Sequence, residues 1–272
     1  LITDVTLPGS AGFSSYKSNL GETLNKGFDI QFRFDVMKNK DWNVALWGNL
    51  NHNRNEILKI SDALKAYNSQ VEDYYGLAEE SQTPTLSWTQ AGKTYSDFIK
   101  PIMKYEEGAS LTAIYGVRSL GIDPSNGKEL YLYRNGQASH KWKATEEVVL
   151  GDSEPKASGS FGLNATYKNF SLFASFGYEW GKQTYNETLI MNVESADIQG
   201  SNVDKRVLTQ RWEKPGDIAP LKDIKDMNSV TLPTSRFVQD ENVLSLDALT
   251  LSYDFDPLWL RKIFLKTLRL EV

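Results

Sequence analysis

The chain has 272 residues, 40% hydrophobic and 24% charged, which excludes disorder and allows one or two domains. It lacks cysteine, which rules out disulfides and thiolate chemistry, and its net charge of -5 disfavours a nucleic-acid partner. A mean hydropathy of -0.44 and the lack of any run of about 18 apolar residues exclude a membrane-spanning helix. A membrane barrel stays open, because only alternate residues of its strands face lipid.

The first predicted strand runs from Phe28 to Val36. Phe28, Ile30, Phe32, Phe34 and Val36 alternate with Asp29, Gln31, Arg33 and Asp35, so one face is apolar and the other charged. A turn over Lys38-Asn39-Lys40-Asp41 leads to a second strand. There Trp42, Val44, Leu46 and Leu50 alternate with Asn43, Ala45, Asn49 and Asn51, while Gly48 interrupts the apolar face and Trp47 the polar one. Residues 53–102 follow as a long connection with a predicted helix over 61–68 and acidic residues Glu72, Asp73, Glu79 and Glu80. Residues 109–119 and 129–134 are predicted strands flanking the turn Gly121-Ile122-Asp123-Pro124-Ser125-Asn126-Gly127. The next hairpin places Phe161, Leu163, Ala165 and Tyr167 on one face. After the turn at Lys168-Asn169, Phe170, Leu172, Ala174, Phe176, Tyr178 and Trp180 share a face, with Phe173 as the exception on the other. Tyr178 and Trp180, at the end of that face, fit an interfacial aromatic belt. Residues 182–242 make a second long connection with a predicted helix over 203–212. Strands over 244–255 and 263–272 close the chain, the first with a predicted bulge near Ala248-Leu249.

Periodicity alone does not choose between a soluble sandwich, whose apolar face meets a second sheet, and a barrel, whose apolar face meets lipid. About eight strands emerge. Short turns alternate with connections unusually long for a compact soluble domain, the pattern of short periplasmic turns and long outer loops. The chain starts at Leu1-Ile2-Thr3 without Met and stops inside a strand, so it is expected to be a fragment.

At this point the sequence resembles the SusC/RagA family of TonB-dependent outer-membrane transporters. The similarity lies in Asn19-Leu20-Gly21 with Asn25-Lys26-Gly27-Phe28-Asp29, where the family more often has Glu in place of Asp29. It continues in Trp42 with the Asn-rich run Asn49, Asn51, Asn53 and Asn55, then Ile57 and Ile60. Glu107-Gly108, Tyr115-Gly116-Val117-Arg118 and the Gly121-to-Gly127 turn follow, then Gly151 with Pro155-Lys156. Arg211-Trp212, Pro215-Gly216-Asp217, Asp240 and Leu249-Thr250-Leu251-Ser252-Tyr253 complete it. No single motif is specific, but six in order over nearly the whole chain are.

The resemblance implies an all-β fold, part of a 22-stranded antiparallel transmembrane barrel in the cell outer membrane, with short helices in long extracellular loops. Residues 1–272 would be its C-terminal portion, with the plug domain and last strand lying elsewhere. It implies TonB-dependent import of oligosaccharides or peptides, with a SusD-like surface lipoprotein and outer-membrane lipid as further partners. The alternative is a soluble β-rich carbohydrate-binding module. A structural outer-membrane barrel without import is a third reading.

No enzyme, cofactor or metal is expected. Glu106-Glu107 and Glu146-Glu147 are adjacent pairs, and neighbours on a strand face opposite ways, so neither converges on one bond as glycosidase carboxylates do. His52 and His140 lie far apart without ligand spacing and read as solvated loop positions. Asp123 to Gly127 lacks calcium-loop spacing and reads as a turn. Arg211-Trp212 with Pro215-Gly216-Asp217 is either a sugar-stacking loop or a lock for a long loop. Asp29, Gln31, Arg33, Asp35, Asn49 and Asn51 are expected to line the lumen. No substrate-binding residue is assigned.

Overall fold

The computed structural model describes residues 2–6, 15–19, 21–80, 88–90, 93–95, 101–196, 198, 200, 202–226, 231–262 and 264–272. Leu1, Leu20 and Ile263, and the side chains of Asn19, Glu79 and Glu80, lie outside the described residues.

A small hairpin of β1 (Ile2–Thr6) and β2 (Ser15–Asn19) precedes the long strands β3 (Gly21–Lys38) and β4 (Trp42–Ile60). Helix α1 (Asp62–Glu80) and a pair, β5 (Trp88–Gln90) and β6 (Lys93–Tyr95), come next. Short strands follow: β7 (Ala113–Gly116), β8 (Arg118–Ile122), β9 (Glu129–Leu132), β10 (Ala138–Ser139) and β11 (Val148–Asp152). The second long hairpin is β12 (Ala157–Tyr167) with β13 (Phe170–Tyr185). Helical turns α2 (Glu187–Leu189) and α3 (Arg206–Thr209) lead to β14 (Val238–Asp254), helix α4 (Pro257–Arg261) and β15 (Arg269–Glu271). No helix among the described residues is long and apolar enough to cross a membrane.

The chain forms two compact units. The loop unit is Leu1–Leu24, Asn55–Ser153 and Gln183–Gln239, and the wall unit is Asn25–Arg54, Glu154–Lys182 and Asp240–Val272.

The wall unit is built on a six-stranded sheet in the order β15-β14-β13-β12-β4-β3, antiparallel at β4–β12, β12–β13 and β14–β15. Register carries the sequence alternation across the sheet. Leu163 lies opposite Leu46 and Ala174, Phe161 opposite Gly48 and Phe176, and Tyr167 opposite Trp42 and Phe170. Residues directly opposite share a face, so one face is apolar across these strands. Gly48, which broke the pattern in sequence, makes room on that face. A side chain there would meet the Phe32 ring at 2.6 Å and Phe161 Cβ at 3.3 Å.

That apolar face is uncovered. Phe28 is 51% exposed, Phe34 63% and Phe170 52%, and every residue from Asn25 to Lys38 is exposed, whereas Leu163, Leu172 and Phe176 are half-buried among their neighbours. Among the described residues no second sheet covers this face, as the two-sheet core of the soluble-module alternative would require.

Three expectations need correction. Residues 109–119 and 129–134 do not join the wall. β7 pairs with β11, and β8 and β9 form a three-stranded sheet with β10. These strands have only four or five residues, too few to cross a bilayer, and β7 is buried along its length. The helix expected over 61–68 extends to Glu80, because Leu64, Val71 and Tyr75 form one buried stripe at helical spacing. The helix expected over 203–212 shrinks to the four residues of α3.

The predicted slip in β14 is present. Ser245 and Asp247 crowd Gly177, on the polar face, and Thr250 and Ser252 share that face beside Phe173. Their parities differ, so one extra residue sits between Asp247 and Thr250.

The loop unit buries its apolar residues conventionally. One cluster gathers Val71, Tyr75, Val117, Trp142, Ala144 and Leu232, and another Val193, Ala196, Val207 and Leu221.

Candidate functional site

Arg211-Trp212 forms a lock. The Arg211 guanidinium donates to the carbonyls of Val207 (3.0 Å), Lys222 (3.2 Å), Val193 (2.6 Å) and Glu194 (2.6 Å), tying four points of the 183–239 segment together. Trp212 donates from Nε1 to the Pro124 carbonyl at 2.9 Å and packs over Gly127, whose positive φ of 73° suits glycine. Asp217 accepts from the Glu213 and Lys214 amides, and the Gly216 amide donates to the Pro124 carbonyl. Trp212 is only 8% exposed, so its ring is no stacking platform. The Gly121-to-Gly127 turn and the Arg211-to-Asp217 segment, separate in sequence, are thus one structural knot.

Beside it lies a cluster that sequence reasoning missed. The Arg236 guanidinium donates to Glu129 at 2.8 Å and Glu194 at 2.7 Å, and the Thr234 hydroxyl donates to Glu129 at 2.7 Å. Glu129 and Glu194 are buried. Burial raises the Glu129 pKa, but Arg236 outweighs it and leaves the carboxyl below its ordinary value. Sequence offered no signal here, because the partners lie 107 and 42 residues away.

A second buried acid, Glu147, has Lys104 Nζ 3.6 Å away, beyond hydrogen-bond reach, while Lys104 bonds Glu72 at 2.8 Å. Burial, only partly offset by Lys104, pushes Glu147 up to about 7. Its sequence neighbour Glu146 is instead turned to the Arg134 amide, at 2.7 Å. Glu107 accepts from the Ile60 amide, and Glu106 lies 3.7 Å from Arg134. Glu106 and Glu146 thus meet the side chain and the amide of the same Arg134, and Glu72 and Glu147 share Lys104.

The polar face of the wall unit holds the expected lumen residues. Asn51 donates to Asp29, Asn49 accepts from the amide and hydroxyl of Ser160, and Arg33 lies 3.6 Å from Asp35. The two exceptions to the alternation, Trp47 and Phe173, meet there. Their rings stack at 6.3 Å and 9° across Gly162, where any Cβ would strike the Trp47 ring. A groove of about 380 Å³ next to Phe173 is lined by Asn164, Thr166, Ser171, Thr250, Ser252 and Arg269.

His52 is not in a loop. It lies in β4, with Nδ1 2.6 Å from the Lys156 carbonyl and its ring 5.3 Å from Phe28. His140 sits 3.1 Å from Asp123, whose carboxyl is held low chiefly by the Ser125 amide.

An uncovered apolar face, a polar face on the same strands, and short turns alternating with long loops define an outer-membrane β-barrel wall. No family model matches the sequence. TonB-dependent receptor P3 of Formosa agariphila is 26% identical over 271 residues, covering 98% of this chain and 25% of that protein. TonB-dependent receptor P39 of the same organism is 22% identical over 294 residues, covering 97% and 27%. Among solved structures, the RagAB peptide transporter aligns with a TM-score of 0.72 at 22% identity, covering all of this chain and 27% of that one. The RagAB importer in the closed-closed state gives 0.68, also at 22% identity, covering all of this chain and 28% of that one. The chain is thus a homologue of TonB-dependent receptors with the fold of the matching part of a RagA-type barrel, and it spans about a quarter of its curated relatives' length.

Proposed function

We propose that this chain is the C-terminal part of a SusC-like transporter that imports oligosaccharides or peptides across the outer membrane with energy delivered through TonB. A SusD-like surface lipoprotein would be its partner. The observation that carries the reading is similarity to TonB-dependent receptors along nearly the whole chain, together with a sheet whose apolar face is open. The RagAB neighbours are peptide transporters by name, which favours peptides over sugars as cargo. No catalytic role is proposed.

The test uses the full-length protein in its native membrane. Uptake of labelled oligopeptides and oligosaccharides is compared in cells with the gene intact and deleted, with and without a protonophore. Energy-dependent, gene-dependent uptake of one class supports the proposal and names the cargo. Uptake of both classes unchanged by deletion or by the protonophore would sink it.

A further inference from the structure

The short-turn end of the wall unit is a continuous rim. The Lys168 amide donates to the Asp41 carbonyl at 2.8 Å, and the Asp254 amide to the Asn169 carbonyl at 2.9 Å, so neighbouring turns are stitched side by side. Along this rim run aromatics that the sequence pattern did not single out as a belt. Trp42 packs on Tyr167 at 4.4 Å, Phe170 on Tyr253 at 4.7 Å, Tyr253 on Phe255 at 5.0 Å and Phe255 on Trp259 at 5.9 Å. Beyond them, the α4 connection leaves Leu258 70%, Trp259 50% and Phe264 98% exposed.

The same rim is basic. Lys38, Lys40, Lys168, Arg261, Lys262 and Lys266 are all exposed, and none makes an ion pair among the described residues. Of the rim acids, Asp254 lies 3.5 Å from Arg269, while Asp256 caps α4 by accepting from the Leu258 amide and keeps its charge, which leaves two acids, Asp41 and Asp256, against six cations. Lys38 continues the Phe32–Phe34–Val36 face by parity, and Lys168 Nζ lies 5.2 Å from the Tyr167 ring centre. The cations therefore border the apolar face.

Aromatic rings beside flexible cations match the boundary between acyl chains and headgroups, where rings sit at headgroup depth and lysines reach outward to phosphates. The unbalanced charge selects headgroups of opposite sign. We infer that the short-turn rim is a docking surface for anionic phospholipid headgroups of the adjacent leaflet, with the α4 knuckle inserted among them. This inference rests on the outer-membrane reading.

The test places the purified full-length receptor in nanodiscs of phosphatidylcholine mixed with phosphatidylglycerol, and measures by native mass spectrometry which lipids stay bound. The wild type should retain phosphatidylglycerol over phosphatidylcholine by about fivefold or more, and less so as salt rises from about 0.05 M to 0.5 M. Changing all six cations to Gln should abolish the preference while keeping the heat-dependent gel mobility of a folded barrel, and the polar-face variant Arg33→Gln should keep it. Equal retention of both lipids by the wild type overturns the inference, as does a preference that survives loss of the six cations. Loss of the bound lipid to millimolar inorganic phosphate would mark a free-anion site and overturn it too. A wild type that neither enters nanodiscs nor shows heat-dependent mobility refutes the barrel reading itself, a separate outcome.

Discussion

In the loop unit Tyr75, Tyr115 and Phe237 keep 1% or less of their surface accessible, whereas in the wall unit Phe28, Phe34 and Trp180 leave half or more open. The inversion extends to polar groups. The loop unit encloses Glu129, Glu147 and Glu194, while the buried residues of the wall unit are small ones such as Ala45, Ala174 and Ser252, with Leu260 of α4 as the large exception. One chain thus follows two burial rules, and the difference teaches that burial is set by the solvent on each side. A loop in water hides apolar surface. A strand in lipid shows it and needs a small residue where rings cross, as at Gly48.

The largest break in this comparison is Arg236→Met, tested in the full-length receptor. It strands two buried carboxylates and should cost about 3–5 kcal/mol. Limited proteolysis should open the loops while heat-dependent barrel mobility persists, and loops as resistant as wild type would refute the cluster's role. Next, Phe32→Arg puts a charge on the apolar face and should destabilise the barrel in lipid vesicles by about 2–4 kcal/mol in denaturant titration. Gln31→Arg, one residue away on the polar face, should be close to neutral, and equal costs would contradict the assigned faces.

Glu147 sharpens the comparison through pH. Its folded pKa of about 7 stands above the unfolded 4.5, so between those values the unfolded chain releases its proton first. The contribution of Glu147 to loop-unit stability is therefore greatest in acid and falls as pH rises, by roughly 2 kcal/mol between about pH 5 and pH 8. Glu147→Gln should flatten this dependence in loop hydrogen-exchange rates, and an unchanged slope would count against it. The smallest effect expected is Asn51→Ala, which removes one exposed bond to Asp29 and should shift stability by about 1 kcal/mol or less.

Much of the wall was legible in the sequence because a strand's faces depend on a period of two, which needs no knowledge of partners. Phe28 to Val36 and Phe161 to Trp180 announced their faces in this way, and the β14 slip appeared as a broken period. The turn of the first hairpin was legible too: Asn39 Oδ1 accepts from the Asp41 and Trp42 amides at 3.0 and 2.8 Å. The loop unit was much less so. Its short strands look like wall strands cut short, and pairs such as Arg236–Glu129 or Trp212–Pro124 join residues about a hundred positions apart with no shared pattern. Trp47 and Phe173 sat between these cases. Each was visible as an exception, but only the register across Gly162 joins them.

The pairing of β4 with β12 has a kinetic consequence. Asn51 meets Ser158 and Trp42 meets Tyr167 across a gap of more than a hundred residues, whereas the β12–β13 turn spans two. Closing the longer loop costs about 3 kcal/mol more chain entropy by logarithmic scaling. Each hairpin should therefore zip early and the seam between β4 and β12 last, the slow step expected of high contact order. A disulfide engineered across that seam, formed at timed points during refolding, should appear after one engineered across β12–β13, and simultaneous formation would refute the order. Until that seam closes, the hairpins on either side of it expose unpaired edges, so the assembling wall is most open to aggregation along this one line.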